Sequence, residues 1–217
     1  PVPLELPAQP RPDPLKTGFL TPGGRYELAS QTLVFADAAK DFGIRAGATG
    51  VRSFGPGEHD VGAVELKSGE TVYIDPGAVV YGRFWASNAT DVAILGRGII
   101  DASRVKERIL FSPKGDEGWE NAIENAERYH TLWMRDVRNL RIDGVTVRDS
   151  LAYNVALFDC EDVRIEDVKI VGQWRYNTDG IDLHNCRRGR VTGCSVRSFD
   201  DSFCFKAHEG FGNCEDL

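Results

Sequence analysis

Asn139-Leu140-Arg141-Ile142-Asp143-Gly144-Val145-Thr146-Val147 is followed 23 residues later by Asp162-Val163-Arg164-Ile165-Glu166-Asp167-Val168-Lys169-Ile170. A further 26 residues on comes Arg188-Gly189-Arg190-Val191-Thr192-Gly193-Cys194-Ser195-Val196. Each copy reads as strand, tight turn, strand: apolar residues alternate with polar ones, and small or acidic residues interrupt between them. A unit this short cannot bury its own apolar side, so it must stack on its neighbours. Stacked coils of short strands with variable turns make a parallel β-helix. Leucine-rich and helical solenoids are the competing repeats, and the leucine spacing and 3.6-residue periodicity they need are missing. The register predicts one interior column of Val145, Val168 and Cys194 and another of Ile142, Ile165 and Val191.

The repetition extends both ways from this core. Upstream, Gly55-Pro56-Gly57 recurs as Asp75-Pro76-Gly77, and a 20-residue step lays Val72, Ile74, Val79 and Val80 over Val92, Ile94, Ile99 and Ile100. Downstream, the pattern restarts at Asp216-Leu217 and stops there, so the β-helix is expected to be C-terminally truncated. Residues 46–217 are assigned to it, and 1–45 to a Pro-rich linker and a cap or remnant of an upstream segment. The polar stretch from Ser103 to Arg128 interrupts the period. It is expected to leave the solenoid as a loop, with a short helix over Glu120–Arg128. Cys160, Cys186 and Cys214 share one repeat position, which predicts a ladder of small buried thiols; a Cys204–Cys214 disulfide is the alternative.

Composition narrows the function. Of 217 residues, 41% are hydrophobic and 27% charged, an ordinary globular mixture. The net charge is −7, with Lys and Arg scattered, which argues against nucleic acid or an anionic membrane as partner. No apolar run approaches the roughly 20 residues that cross a bilayer. A monomer is expected.

Two acidic stretches stand out: Asn177-Thr178-Asp179-Gly180-Ile181-Asp182 and Asp200-Asp201-Ser202-Phe203-Cys204-Phe205-Lys206. Aligning their strands puts Ile181 over Phe203 and Leu183 over Phe205, so Asp179 lies over Asp201, one coil apart. Asp200 starts from the preceding turn. Like charges this close raise the pKa of at least one group. Glycosidic hydrolysis needs that pairing: a protonated acid for the leaving oxygen and a carboxylate base for water. Isolated turn aspartates usually only bond the backbone, as expected of Asp143, Asp162 and Asp167. A calcium site is the other use of clustered carboxylates; no metal and no cofactor are assigned here. Trp174, Arg175, Tyr176, Asn177 and Lys206 are the expected sugar contacts, aromatic rings covering pyranose faces and polar groups binding hydroxyls.

The two acidic motifs, at this separation, resemble those of the polygalacturonases, glycoside hydrolase family 28. The resemblance spans roughly Gly50–Leu217 and includes Gly96-Arg97-Gly98-Ile99-Ile100-Asp101. It implies the right-handed, pectin lyase-like form of the solenoid, inverting hydrolysis of pectic chains, and a secreted or periplasmic location. It also implies roles: Asp200 as general acid, Asp179 and Asp201 holding the attacking water. Phe199 and Ser202 depart from the family's usual Gly or Gln before the Asp pair and Cys after it. The alternatives are a dextranase-like hydrolase of a neutral glucan, a Ca²⁺-dependent pectate-lyase-like enzyme, and a non-catalytic carbohydrate-binding β-helix.

Overall fold

The computed structural model describes residues 34–45, 47–104, 129–172, 177–207 and 212–217. The chain divides into a unit over Pro1–Lys40 and a compact unit over Asp41–Leu217. In the second, Phe42 already packs edge-on against Tyr73, with ring centroids 6.0 Å apart. The expected helix at Glu120–Arg128 lies outside the described residues.

Among the described residues, fourteen strands, all paired in parallel, wind as a right-handed β-helix with three faces. They are β1 (Val51–Phe54), β2 (Gly57–Glu65), β3 (Thr71–Ile74), β4 (Ala78–Gly96), β5 (Ile99–Asp101), β6 (Leu132–Asp143), β7 (Thr146–Arg148), β8 (Val155–Phe158), β9 (Glu161–Glu166), β10 (Lys169–Gly172), β11 (Ile181–His184), β12 (Arg187–Thr192), β13 (Ser195–Ser198) and β14 (Phe203–Lys206). One face stacks the middle of β4 with β6, β8, β11 and β14. A second stacks β1, β3, the end of β4, the end of β6, β9 and β12. The third stacks β2, the start of β4, β5, β7, β10 and β13.

Inward side chains form columns, because parallel register places the same repeat position at about 4.8 Å intervals. Ile142, Ile165 and Val191 stack as the repeat requires, and so do Val145, Val168 and Cys194. Residues Val80, Ile100, Val147 and Ile170 build a further fully buried column. Two upstream pairings are corrected: Val72 pairs with Ile94, not Val92, and Ile74 with Gly96, not Ile94, although Val79 and Val80 do pair with Ile99 and Ile100. Strand alternation has a period of two, so a two-residue slip leaves the hydrophobic pattern unchanged. The slip is absorbed where the amides of Arg97 and Gly98 both donate to the Ile74 carbonyl.

The corner between the first two faces explains why acidic and amide residues punctuate each copy. Asn88, Asp136, Asp159 and Asn185 occupy one stacked position, and Asp91, Asn139, Asp162, Arg188 and Asp216 another; all have φ between 51° and 58°. Left-handed backbone costs most L-residues about 1–2 kcal/mol, and Asn and Asp tolerate it best. Arg188 is the exception, and its guanidinium is tied to Asp162 at 2.8 Å and Glu161 at 2.8 Å. Between the two corners points one inward residue per coil: Ala89, Val137, Cys160, Cys186. The expected thiol ladder is therefore a column of small residues at a tight bend. All five cysteines are free, so the Cys204–Cys214 disulfide does not form. Asp162 and Asp167 are left-handed corner residues, as their turn positions suggested.

Candidate active site

On β9 the burial alternates, with Val163 and Ile165 inside and the residues between them facing out. On β8 and β11 the alternation fails. Ile181, Asp182, Leu183 and His184 are all buried, so polar groups on the outward side of β11 are covered as well. The aspartates meet on this face.

Backbone bonds fix Asp179 just before β11. Its carbonyl accepts from the Asn154 amide at 2.9 Å and from the Asn154 side chain at 2.8 Å. The amide of Gly180 donates to the Asp201 carbonyl at 2.7 Å, which extends the Ile181–Phe203 register back by two residues. Asp179 thus lies over Asp201, and one coil earlier the same column holds Tyr153, then His130. Gly180 has no alternative: a methyl there would run into the Ser202 carbonyl and Val196. Ahead of it, the Thr178 hydroxyl donates to the Gly172 carbonyl at 2.7 Å.

Asp179 is buried, whereas Asp200 and Asp201 are exposed. Ligand-capable atoms of Asp179, Asp201 and Cys204 all lie within 4.8 Å of one another. A water donating one hydrogen to each of two carboxylates, with legs of about 2.8 Å, spans roughly 4.4 Å. Oxygens of Asp179 and Asp201 no more than 4.8 Å apart are within reach of one shared water. Calcium fits less well, since it takes an all-oxygen shell and here meets a thiol and a neighbouring ammonium. Cys204 donates its S–H to Asp201 Oδ2 at 3.1 Å. Burial and that hydrogen bond push the thiol up to about 12, so it stays protonated. Asp200 receives the Asp201 amide on its Oδ1 at 3.0 Å, and its carbonyl receives the Ser198 hydroxyl at 2.8 Å. Ser202, at the position after the Asp pair, shares a 3.1 Å hydrogen bond with Ser198.

Burial raises the Asp179 carboxyl to about 7, with Asp182 adding to the effect and Lys206 opposing it. Lys206 Nζ stands 2.9 Å from Asp182 Oδ2, 3.5 Å from Asp179 Oδ2 and 3.5 Å from the Tyr153 hydroxyl. Burial works against the ammonium, but Asp182, Tyr153 and Asp179 together hold it above the usual lysine range. The Lys206 charge also lies over the Tyr153 ring, 4.7 Å from its centroid. Tyr153 stacks on His130 at 4.6 Å, and Phe158 on His184 at 4.2 Å. Burial, with help from His184, lowers the His130 imidazole to about 3, so it is neutral and its Nδ1 accepts the Tyr153 amide at 3.1 Å.

Asp179, Asp200, Asp201 and Lys206 are thus brought together. Asn177 takes a left-handed turn conformation, φ 61°, two residues ahead of Asp179. Trp174, Arg175 and Tyr176 lie outside the described residues. Sequence reasoning missed Tyr153, Asp182 and Cys204. Carrying the β11 alignment one coil upward, Tyr153-Asn154-Val155-Ala156 over Asp179-Gly180-Ile181-Asp182, would have found Tyr153.

The family model for glycosyl hydrolases family 28 matches residues 57–214, which include the Asp cluster and strands β2 to β14. The chain belongs to that family. Among curated proteins, the family 28 chain is 25% identical over 148 residues to the dextranase of Arthrobacter sp. (strain CB-8), covering 62% of this chain and 22% of the dextranase. It therefore spans about a fifth of that relative's length. Among solved structures it is similar to a candidate glycosyl hydrolase from Parabacteroides merdae (TM-score 0.58, 20% identity, 76% of this chain and 79% of that one). It is also similar to an exopolygalacturonase from Thermotoga maritima (TM-score 0.55, 18% identity, 72% and 47%). The polygalacturonase from Erwinia carotovora gives a TM-score of 0.51 at 20% identity, over 78% and 51% of the two chains. At these identities the structural likeness speaks for the fold, and family 28 membership rests on the match to residues 57–214.

Proposed function

We propose that this family 28 protein is an inverting glycoside hydrolase that cleaves a polysaccharide, with a pectic chain as first substrate. The observation that carries this reading is the stacking of buried Asp179 over exposed Asp201, close enough to share one water, with Asp200 adjoining. Asp200 is the general acid that protonates the leaving oxygen. Asp179 and Asp201 hold the water, and one of them takes its proton as the water oxygen bonds the anomeric carbon from the face opposite the leaving oxygen, which departs with the proton of Asp200. A carboxylate whose pKa lies near 7 is a stronger base than an ordinary aspartate and still ionises at neutral pH. Asn177 with Trp174, Arg175 and Tyr176 contacts the sugar beside the cleavage point. A polysaccharide substrate is met outside the cytoplasm, which favours a secreted or periplasmic protein, and we take it to act as a monomer. Among the described residues no helix is long and apolar enough to cross a membrane.

A second reading, hydrolysis of a neutral glucan, is favoured by the dextranase relatives. Reducing ends released from polygalacturonate and from dextran, measured side by side with the full-length protein, separate the two. The acid is tested by Asp200→Asn. Turnover should fall by about 10²–10⁴-fold, and a substrate with an activated leaving group, which needs little protonation, should recover part of it. A loss smaller than about tenfold, or no recovery with that substrate, removes Asp200 from the acid role.

A further inference from the structure

The sequence suggests Lys206 as a sugar contact, but its ammonium is already engaged. It carries three N–H donors, and three acceptors surround it: Asp182 Oδ2, Asp179 Oδ2 and the Tyr153 hydroxyl. Two buried carboxylates therefore face a single positive charge. The shorter contact, 2.9 Å, goes to Asp182, which is fully buried; the longer, 3.5 Å, to Asp179. Oδ1 of each aspartate has no hydrogen-bond partner among the described residues. Asp182 and Lys206 occupy outward positions on β11 and β14, two residues apart along the same face.

We propose that Lys206 and Asp182 are positioning residues that act on Asp179 in opposite senses. Lys206 holds the Asp179 carboxylate in place and keeps it ionised, while Asp182 anchors the ammonium and limits how much of its charge Asp179 receives. The inference rests on the reading of Asp179 as part of the base. The other groups around Asp179 leave this opposition intact. Asp200 adds negative charge from the turn before β14 and pushes in the same sense as Asp182. Asp201 faces Asp179 from that turn as well, but shares one oxygen with the Cys204 thiol. Tyr153, from the coil above, is held protonated by burial. His184 lies beyond Asp182, with Nε2 at 3.7 Å from its Oδ2. Lys206 is the cation among the described residues that contacts Asp179 directly.

The base must be ionised to work, so the acid limb of the kcat/KM profile follows Asp179 in the free enzyme. Removing the nearby positive charge makes Asp179 harder to ionise, and Lys206→Met should move that limb toward higher pH by about one unit or more. Asp182→Asn removes a negative neighbour and releases Lys206 toward Asp179, so the limb should move about one unit toward lower pH. Lys206→Arg keeps the charge and should stay near wild type. The experiment is the full pH profile for the full-length protein and all three variants, with circular dichroism checking the fold. Shifts of opposite sign for Lys206→Met and Asp182→Asn support the proposal. Unmoved limbs with a raised KM return Lys206 to a sugar contact and overturn it, as do shifts of the same sign. If Lys206→Met does not fold, Asp182→Asn alone decides, since only the proposal predicts a downward shift. Asp179→Asn is run alongside: if it keeps wild-type turnover, the reading of the base has failed, and not merely the role of its neighbours.

Discussion

Two faces of the same solenoid treat their outward residues in opposite ways. On the face built from β9 and β12, inward aliphatics alternate with exposed charges, and ion pairs such as Arg188 with Asp162 and Glu161 sit in solvent. On the face built from β8 and β11, outward Asp182 and His184 are as buried as the core beside them. Burying ionisable groups costs folding stability unless each is paired, and here two carboxylates share one lysine. The first face is explained by packing alone. The second keeps a cost that packing does not require, and sites of chemistry have that character.

The difference is sharpest at Asp179. Asp179→Asn should lower turnover by about 10²-fold or more, because an amide cannot take a proton from water. The same change should make the protein more stable at neutral pH. The folded carboxyl, raised to about 7 from an ordinary 3.8, binds its proton more tightly than the unfolded one does. Ionising it therefore opposes folding, and the opposition grows as pH rises from about 4 to about 7. The melting temperature of Asp179→Asn should exceed that of wild type by a few degrees at pH 8 and match it near pH 3.5. Lower stability at pH 8 would mean that Asp179 is a structural residue.

Ile165→Ala probes the other face. Ile165 is fully buried in the column between Ile142 and Val191, and truncation should cost about 2–5 kcal/mol in denaturant unfolding. The kcat of the folded protein should not change, and a change would mean that the two faces are coupled. Gly180→Ala should cost about 1–3 kcal/mol through overpacking against the Ser202 carbonyl and Val196. Unlike Ile165→Ala, it should also reduce kcat, since it displaces Asp179. The smallest effect belongs to Arg188→Asn. It exchanges exposed ion pairs for a residue suited to φ 51°, so melting and turnover should both stay close to wild type.

How legible each face was in the sequence follows from the same contrast. Repeat spacing and alternation located the interior columns, and the small or acidic residues between them marked the turns, though not their left-handed backbone. Alternation could not distinguish Val92 from Ile94 opposite Val72, because both lie on the inward side. Register alone also placed Asp179 over Asp201. It could not show that Lys206 turns its ammonium onto Asp182, since a lysine on the outer side of a strand usually extends into water. Nor could it show that Tyr153 closes the column above Asp179. Those contacts depend on which outward residues are covered, and the repeat pattern carries no information about that.

The central claim is that one water, held between Asp179 and Asp201, attacks the sugar while Asp200 protonates the leaving oxygen. Proton NMR of the first product released by the full-length protein, followed before mutarotation, tests it most directly. The account predicts that the new reducing end appears with the anomeric configuration opposite to that of the bond cleaved. A first product of unchanged configuration would mean that a carboxylate, not water, attacks the sugar, and would contradict it.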